Sequence, residues 1–355
     1  MASAAFLKNP INALQSHTRI PFGHPKLVPT KFHAILVGNS SLMQPFVAKT
    51  LTIKSQNNPS PEFKLEEYRT KKIKLINKAL DEAVPLQHPT KLHEAMRYTL
   101  LAGGKRLIST LCIASCELVG GDESLAMPTV CAFEMIFTAG MIHDDFPDMD
   151  NCDIRRGKPT NHKVYGETTS ILACNGLLCL AIEHIATNTE NVSLDRVVRA
   201  ITEVCSAAGA KGSTAGQFAD INSEGQEVSL SELEFIHKHK TGKFVEAALV
   251  CGIVLGGGNE VEIERLRKFG KKVGLAYQVW DDILDINGFT EKLGKKVGND
   301  LLRNKATYPK LMGMDESKKF ATQLVAQAKE ELSYFDSTMA APLYHLADFI
   351  VSRML

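Results

Sequence analysis

Three carboxylates stand together at Asp144, Asp145 and Asp150, with a fourth at Asp148, where an apolar stretch ends; Arg155 and Arg156 follow at once. Acids closing an otherwise buried helix are costly unless a cation neutralises them. A second acid group, Asp281, Asp282 and Asp285, lies far downstream in QVWDDILDI. Its spacing of i, i+1 and i+4 puts Asp281 and Asp285 on one helix face. A lone DDxxD is more often a solvated helix face than a metal site. Here apolar flanks turn it into or along a cavity. Hard oxygen ligands of this kind suit magnesium, which is commonly held by one or two carboxylates plus substrate phosphates. Arginine adds a planar fork matched to phosphate oxygens. Lys105, Gln217, Lys240, Thr241, Gln278 and Lys305 supply further donors beside glycine breaks or polar steps in apolar helices. Singly each is an ordinary surface residue, but beside two acid groups they describe a cavity for polyanions and metal.

The elements that must position these residues are helical. From Phe63 onward apolar residues recur at three and four spacing, as in EFKLEEYRTKKIKLINKALDEAV, the mark of amphipathic helices. Helices are predicted in LHEAMRYTLLAGGKRL, broken at Gly103 and Gly104, and over residues 107–119 and 126–149. Three more fall between the RRGKPTNHK loop and GGGN, and three final ones cover 260–287, 315–334 and 342–354. No strand pattern runs beyond a few residues. The expectation is an all-α, single-domain helical bundle over 63–355 with a central cavity between the acid groups.

Residues 1–61 carry six Lys or Arg and no Asp or Glu, leaving 35 basic against 40 acidic residues in the remainder. That near balance gives no sign of nucleic-acid binding. The acid-poor, hydroxyl-rich stretch 1–62 reads as a transit peptide or disordered leader. Arg19 is its only arginine, which favours plastid, with mitochondrion as the alternative. No run of about 18 apolar residues suggests a membrane span. The eight cysteines form no CxxC pair or zinc spacing, so buried thiols are expected.

IHDDFPDMDN followed by RRGKPTNHK, LLAGGKR, GQ with Asp220 three residues after Gln217, HKT at 239–241, YQVWDDILD and KATYPK together resemble the all-trans polyprenyl diphosphate synthase family, in its plant geranylgeranyl diphosphate synthase-like form. The resemblance spans about 63–355, with the motifs in family order. It implies the isoprenoid synthase type of fold, usually dimeric. It also implies two to three magnesium ions on Asp144, Asp150 and Asp281, with Asp145, Asp282 and Asp285 as further catalytic acids. Arg155, Lys240 and Lys305 bind an allylic diphosphate, Gln217 adds a polar contact, and Lys105 and Arg156 hold isopentenyl diphosphate. Thr241 and Gln278 stabilise an allylic cation, which isopentenyl diphosphate attacks to give a product five carbons longer.

Several positions depart from the family pattern. Ile108 stands where an arginine is usual, Ser109 replaces a proline, and Phe137 takes the place of a histidine. Both lost polar residues are expected contacts of isopentenyl diphosphate, and losing one charge-assisted bond costs on the order of 1.5–3 kcal/mol. Asn299 replaces a lysine and Asn175 a common aspartate. Upstream of Asp144, Ala139 occupies the position where plant relatives carry methionine, beside Gly140 and Ile136. A smaller residue about 7.5 Å below the acids implies a deeper cavity and a product extended to geranylfarnesyl diphosphate; alternatively Ala139 packs on a neighbouring helix and Phe133 or Phe137 closes the tunnel. Cys112 and Cys116 resemble a CxxxC feature of heteromeric synthase subunits. The alternative to a full synthase is therefore a weakly active or non-catalytic subunit that pairs with an active one.

Overall fold

The computed structural model describes residues 63–287 and 304–353. The leader 1–62 and Asn299 lie outside them. Fourteen helices are described: α1 Leu65–Ala83, α2 Thr90–Leu100, α3 Leu107–Glu117, α4 Glu123–Asp144, α5 Asn161–Tyr165, α6 Glu167–Asn188, α7 Leu194–Ala208, α8 Ser213–Asn222, α9 Leu230–His237, α10 Lys243–Gly256, α11 Glu260–Asn287, α12 Tyr308–Met312, α13 Met314–Leu332 and α14 Ser337–Ser352. A π-helical turn, Lys238–Gly242, joins α9 to α10. The one sheet among the described residues is a two-stranded hairpin, β1 Ile154–Arg155 with β2 Lys158–Pro159. It occupies the segment predicted as a plain loop.

Helices apolar on every side belong at the centre of a bundle, and α4 and α10 fit that description. Asp122 caps α4 by accepting from the Ser124 N–H at 2.9 Å, satisfying one of the first-turn donors that a helix leaves open. Most of α4 between Ala126 and Ile142 is buried, as is nearly all of α10. Around α4 gather α2, α6 and α7, forming one apolar cluster with Phe133, Met135 and Leu177. Around α10 and α11 gather α13 and α14, forming a second with Phe269, Val273 and Leu346. Ile108 on α3 touches both.

Both α4 and α6 are long and apolar enough to cross a membrane by length and composition, which the search for an unbroken apolar run passed over. Burial among its neighbours accounts for α4. On α6, Ile171 and Leu172 remain exposed.

Candidate active site

The first acid group forms where α4 stops. The sequence predicts a helix to residue 149, but it ends at Asp144 and the chain folds back, with the Asp150 N–H donating to the Asp144 carbonyl at 2.8 Å. That turn brings Asp150 beside Asp144. Burial lifts the Asp144 carboxyl to about 6; Lys240 draws it down while Asp150 pushes it up. Asp148 is exposed.

Asp145 points elsewhere. Both of its oxygens accept from Arg155 Nε, at 2.8 and 2.9 Å, and Arg155 Nη2 lies 2.7 Å from Oδ1. Burial nevertheless raises the Asp145 carboxyl. Arg156 takes a left-handed backbone, φ 51°, and its Nη1 donates to the Gly103 carbonyl. A Cβ on Gly104 would sit 2.9 Å from Arg156 Nη2, so glycine there lets the guanidinium lie against the chain. This contact puts Arg156 next to the segment bearing Lys105, which is exposed.

The lysines meet on Asp220. Lys240 Nζ is 2.7 Å and Lys305 Nζ 2.9 Å from Asp220 Oδ2, and Lys305 also lies 3.9 Å from Asp150. Burial alone would raise Asp220, but the two ammonium groups outweigh it and bring it down to about 2. Lys240 rides on the π-turn, a form that often marks functional sites. There Gly216 of α8 makes room for it: a Cβ would fall 2.1 Å from the Lys240 nitrogen. One residue on, the buried amide nitrogen and oxygen of Gln217 have no hydrogen-bond partner among the described residues. Half-buried Thr241 follows Lys240.

The downstream acids sit on α11, Asp281 half-buried and Asp282 and Asp285 buried, with Gln278 half-buried one turn earlier. Asp282 Oδ2 takes His237 Nε2 at 2.9 Å and the Tyr308 backbone N–H at 2.9 Å. Burial would lower His237, but Asp282, with help from Asp220, raises it. His237 thereby links the downstream acids to the Asp220–Lys240 pair and, through Lys240, to Asp144 and Asp150.

Among the described residues no three His, Cys, Asp or Glu side chains form a ready-made metal cage. Magnesium does not need one, because it keeps waters and takes phosphate oxygens beside one or two carboxylates. The residues fit such an ion: the donors are hard oxygens, ionised Asp144 lacks compensation for its burial, and the Gln217 amide is unsatisfied.

Of the three chain-length candidates, Ala139 and Ile136 are buried and Gly140 is exposed. Ala139 is 1% exposed and Ile136 5%. Ala139 lies against α6, where the Cys174 thiol donates to its carbonyl at 3.5 Å. The α4 face that continues from Asp144 instead carries Gly140 and Phe137. A Cβ on Gly140 would meet nothing within 4 Å, and Phe137 is 37% exposed. Below it Phe244 of α10 meets Phe137 edge to face at 6.4 Å between centroids, and Phe133 at 6.3 Å.

Ser109, in the proline's place, joins a buried network: its hydroxyl donates to Glu134, which also pairs with Arg106. Cys112 and Cys116 are fully buried, with burial raising both thiols. They are core residues of this chain. Sequence reading passed over Glu134 and His237, and used Arg106, Tyr308 and Asp220 only as parts of motifs. The signal for Asp220 was a single acid, three residues after Gln217, in a helix with no other charged residue.

By fold and site this is a helical, diphosphate-handling transferase. Residues 89–340 match the family described as Polyprenyl synthetase, and the chain belongs to that family of prenyltransferases. It is 54% identical over 303 residues to the Arabidopsis thaliana heterodimeric geranylgeranyl pyrophosphate synthase large subunit 1, chloroplastic, covering 84% of this chain and 81% of that one. It is 50% identical over 295 residues to the Leucosceptrum canum geranylfarnesyl diphosphate synthase, chloroplastic, covering 82% and 81%. Among solved structures, geranylgeranyl pyrophosphate synthetase from Pyrococcus horikoshii superposes with a TM-score of 0.74 at 30% identity, over 81% of this chain and 98% of that one.

Proposed function

We propose that the protein condenses isopentenyl diphosphate with dimethylallyl, geranyl and farnesyl diphosphates to give geranylgeranyl diphosphate and, onward, geranylfarnesyl diphosphate. The convergence of Lys240, Lys305, Asp144 and Asp150 around Asp220 and the unsatisfied Gln217 carries this reading. Asp144, Asp150 and Asp281 would hold magnesium, which would supply positive charge against the departing pyrophosphate. Lys240 and Lys305 bind the allylic diphosphate, with Arg155 in reach once it turns from Asp145. The carbon–oxygen bond ionises, and the dipoles of Thr241 and Gln278 face the allylic cation without attacking it. Isopentenyl diphosphate, held by Lys105 and Arg156, adds its double bond. Loss of a proton to pyrophosphate then restores an allylic diphosphate. Exclusion of water protects the cation from hydrolysis.

Two features set the details. Ile108 and Phe137 leave the isopentenyl site short of two polar contacts, so its affinity is low. Open space at Gly140 admits the growing chain as far as the Phe137–Phe244 pair. The exposed apolar side of α6 supports pairing with itself or a related synthase subunit, as the names of the heterodimeric relatives suggest. The acid-free leader and the chloroplastic names of the relatives support a plastid address.

The test is incubation of the purified protein with isopentenyl diphosphate, magnesium and each allylic primer, followed by sizing of the products. Elongation to twenty or twenty-five carbons is expected. No elongation alone, restored by adding a related synthase, would replace this reading with that of a non-catalytic subunit.

A further inference from the structure

We infer that Asp282 is a positioning residue, acting on the diphosphate through Lys240 and Lys305; this rests on the reading above of those lysines as diphosphate ligands. Its buried Oδ2 ties down two segments at once. His237 Nε2, at 2.9 Å, belongs to the last residue of α9, three residues before Lys240. The Tyr308 N–H, also at 2.9 Å, opens α12, three residues after Lys305. The two anchors also touch each other, with His237 and Tyr308 ring centroids 5.5 Å apart, and Tyr308 stacks on Phe320 at 5.6 Å. Thr307 fixes the start of α12 by accepting from the Lys310 N–H at 3.3 Å. One carboxylate oxygen thus sets the bases of two side chains whose tips share one oxygen of Asp220. A displacement at either base moves its ammonium off that point, and misplacement of positioned groups weakens substrate binding steeply.

A ligand and a positioning residue respond differently to asparagine. In Asp282→Asn the side-chain carbonyl still accepts from both donors, whereas Asp282→Ala removes the tie. The tests are KM for the allylic diphosphate, binding of inorganic pyrophosphate without magnesium by calorimetry, and amide exchange at Tyr308. Asp282→Ala is expected to raise KM about tenfold, weaken metal-free pyrophosphate binding to match, and speed exchange at Tyr308 at least about tenfold. Asp282→Asn restores KM to within about threefold. If Asp282→Ala does not fold, His237→Leu cuts the same tie on the Lys240 side and is expected to raise KM similarly. Unaltered pyrophosphate binding in these variants, unaltered Tyr308 exchange in Asp282→Ala, or an asparagine variant as impaired as alanine, overturns the inference. Wild-type protein that binds no pyrophosphate overturns instead the diphosphate reading on which it stands.

Discussion

Lys240 and Lys305 share a single oxygen of Asp220, at 2.7 and 2.9 Å. Two ammonium groups that bind a polyanion would repel one another in its absence, and the shared carboxylate holds them together beforehand. On the function proposed above, an arriving diphosphate would meet cations already in place.

Replacing Asp220 removes the shared nearest counter-charge of two buried lysines, leaving them the more distant Asp150 and Glu224. Asp220→Asn is expected to cost roughly 2–4 kcal/mol of stability at pH 7. Because the folded carboxyl is depressed from 3.8 to about 2, its contribution is full above the unfolded value and fades as pH falls through 2. Urea titrations of wild type and variant at pH 6 and pH 3 check this: the difference between them shrinks at the lower pH.

Asp144 behaves oppositely. Its carboxyl is raised to about 6 from 3.8, so its effect on the metal-free protein is neutral below the unfolded value and becomes destabilising as pH rises through 6. Asp144→Asn is therefore expected to stabilise metal-free protein at pH 8 by on the order of 2–3 kcal/mol, with little gain at pH 4. The same change lowers kcat/KM by about 100-fold or more. Denaturation curves at the two pH values and a product assay decide it. Equal stability of variant and wild type at pH 8 would rule the account out.

The stop for the growing chain proposed above is expected at the Phe137–Phe244 contact. Phe244→Ala lengthens the product distribution, and Phe137→Ala does so too. Ala139→Met leaves the distribution unchanged and costs roughly 1–3 kcal/mol through overpacking against α6. Chromatographic sizing of products from the three variants separates this from a floor set at Ala139.

The Arg106–Glu134–Ser109 cluster is buried throughout. Arg106→Met strands the Glu134 charge and is expected to cost about 3–5 kcal/mol. The double variant with Glu134→Leu should recover much of that loss, as read by urea unfolding.

The helical order was legible because apolar spacing repeats from Phe63 onward, and the two acid groups because aspartates interrupt otherwise apolar helices. What periodicity could not supply was rotation and partnership. Ala139 and Gly140 are neighbours in sequence, yet one faces α6 and the other open space. Nothing in the spacing of Asp282 shows that its oxygen is claimed by His237 and Tyr308, because those bonds join residues distant along the chain. The end of α4 at Asp144 was missed for a related reason: the turn through Asp150 is closed by backbone bonds that side-chain pattern does not record.

The π-turn at Lys238–Gly242 carries one more consequence. Such a turn accommodates an extra residue relative to an α-helix, so the rod from α9 into α10 changes phase as it passes Lys240. Were the same residues wound as a regular α-helix, everything on one side would swing by about 100° relative to the other. The ammonium of Lys240 and the ring of Phe244 would then no longer face the two ends of the proposed substrate. On that proposal, a defect of winding lets this stretch address water-loving and water-shunning halves of the same molecule.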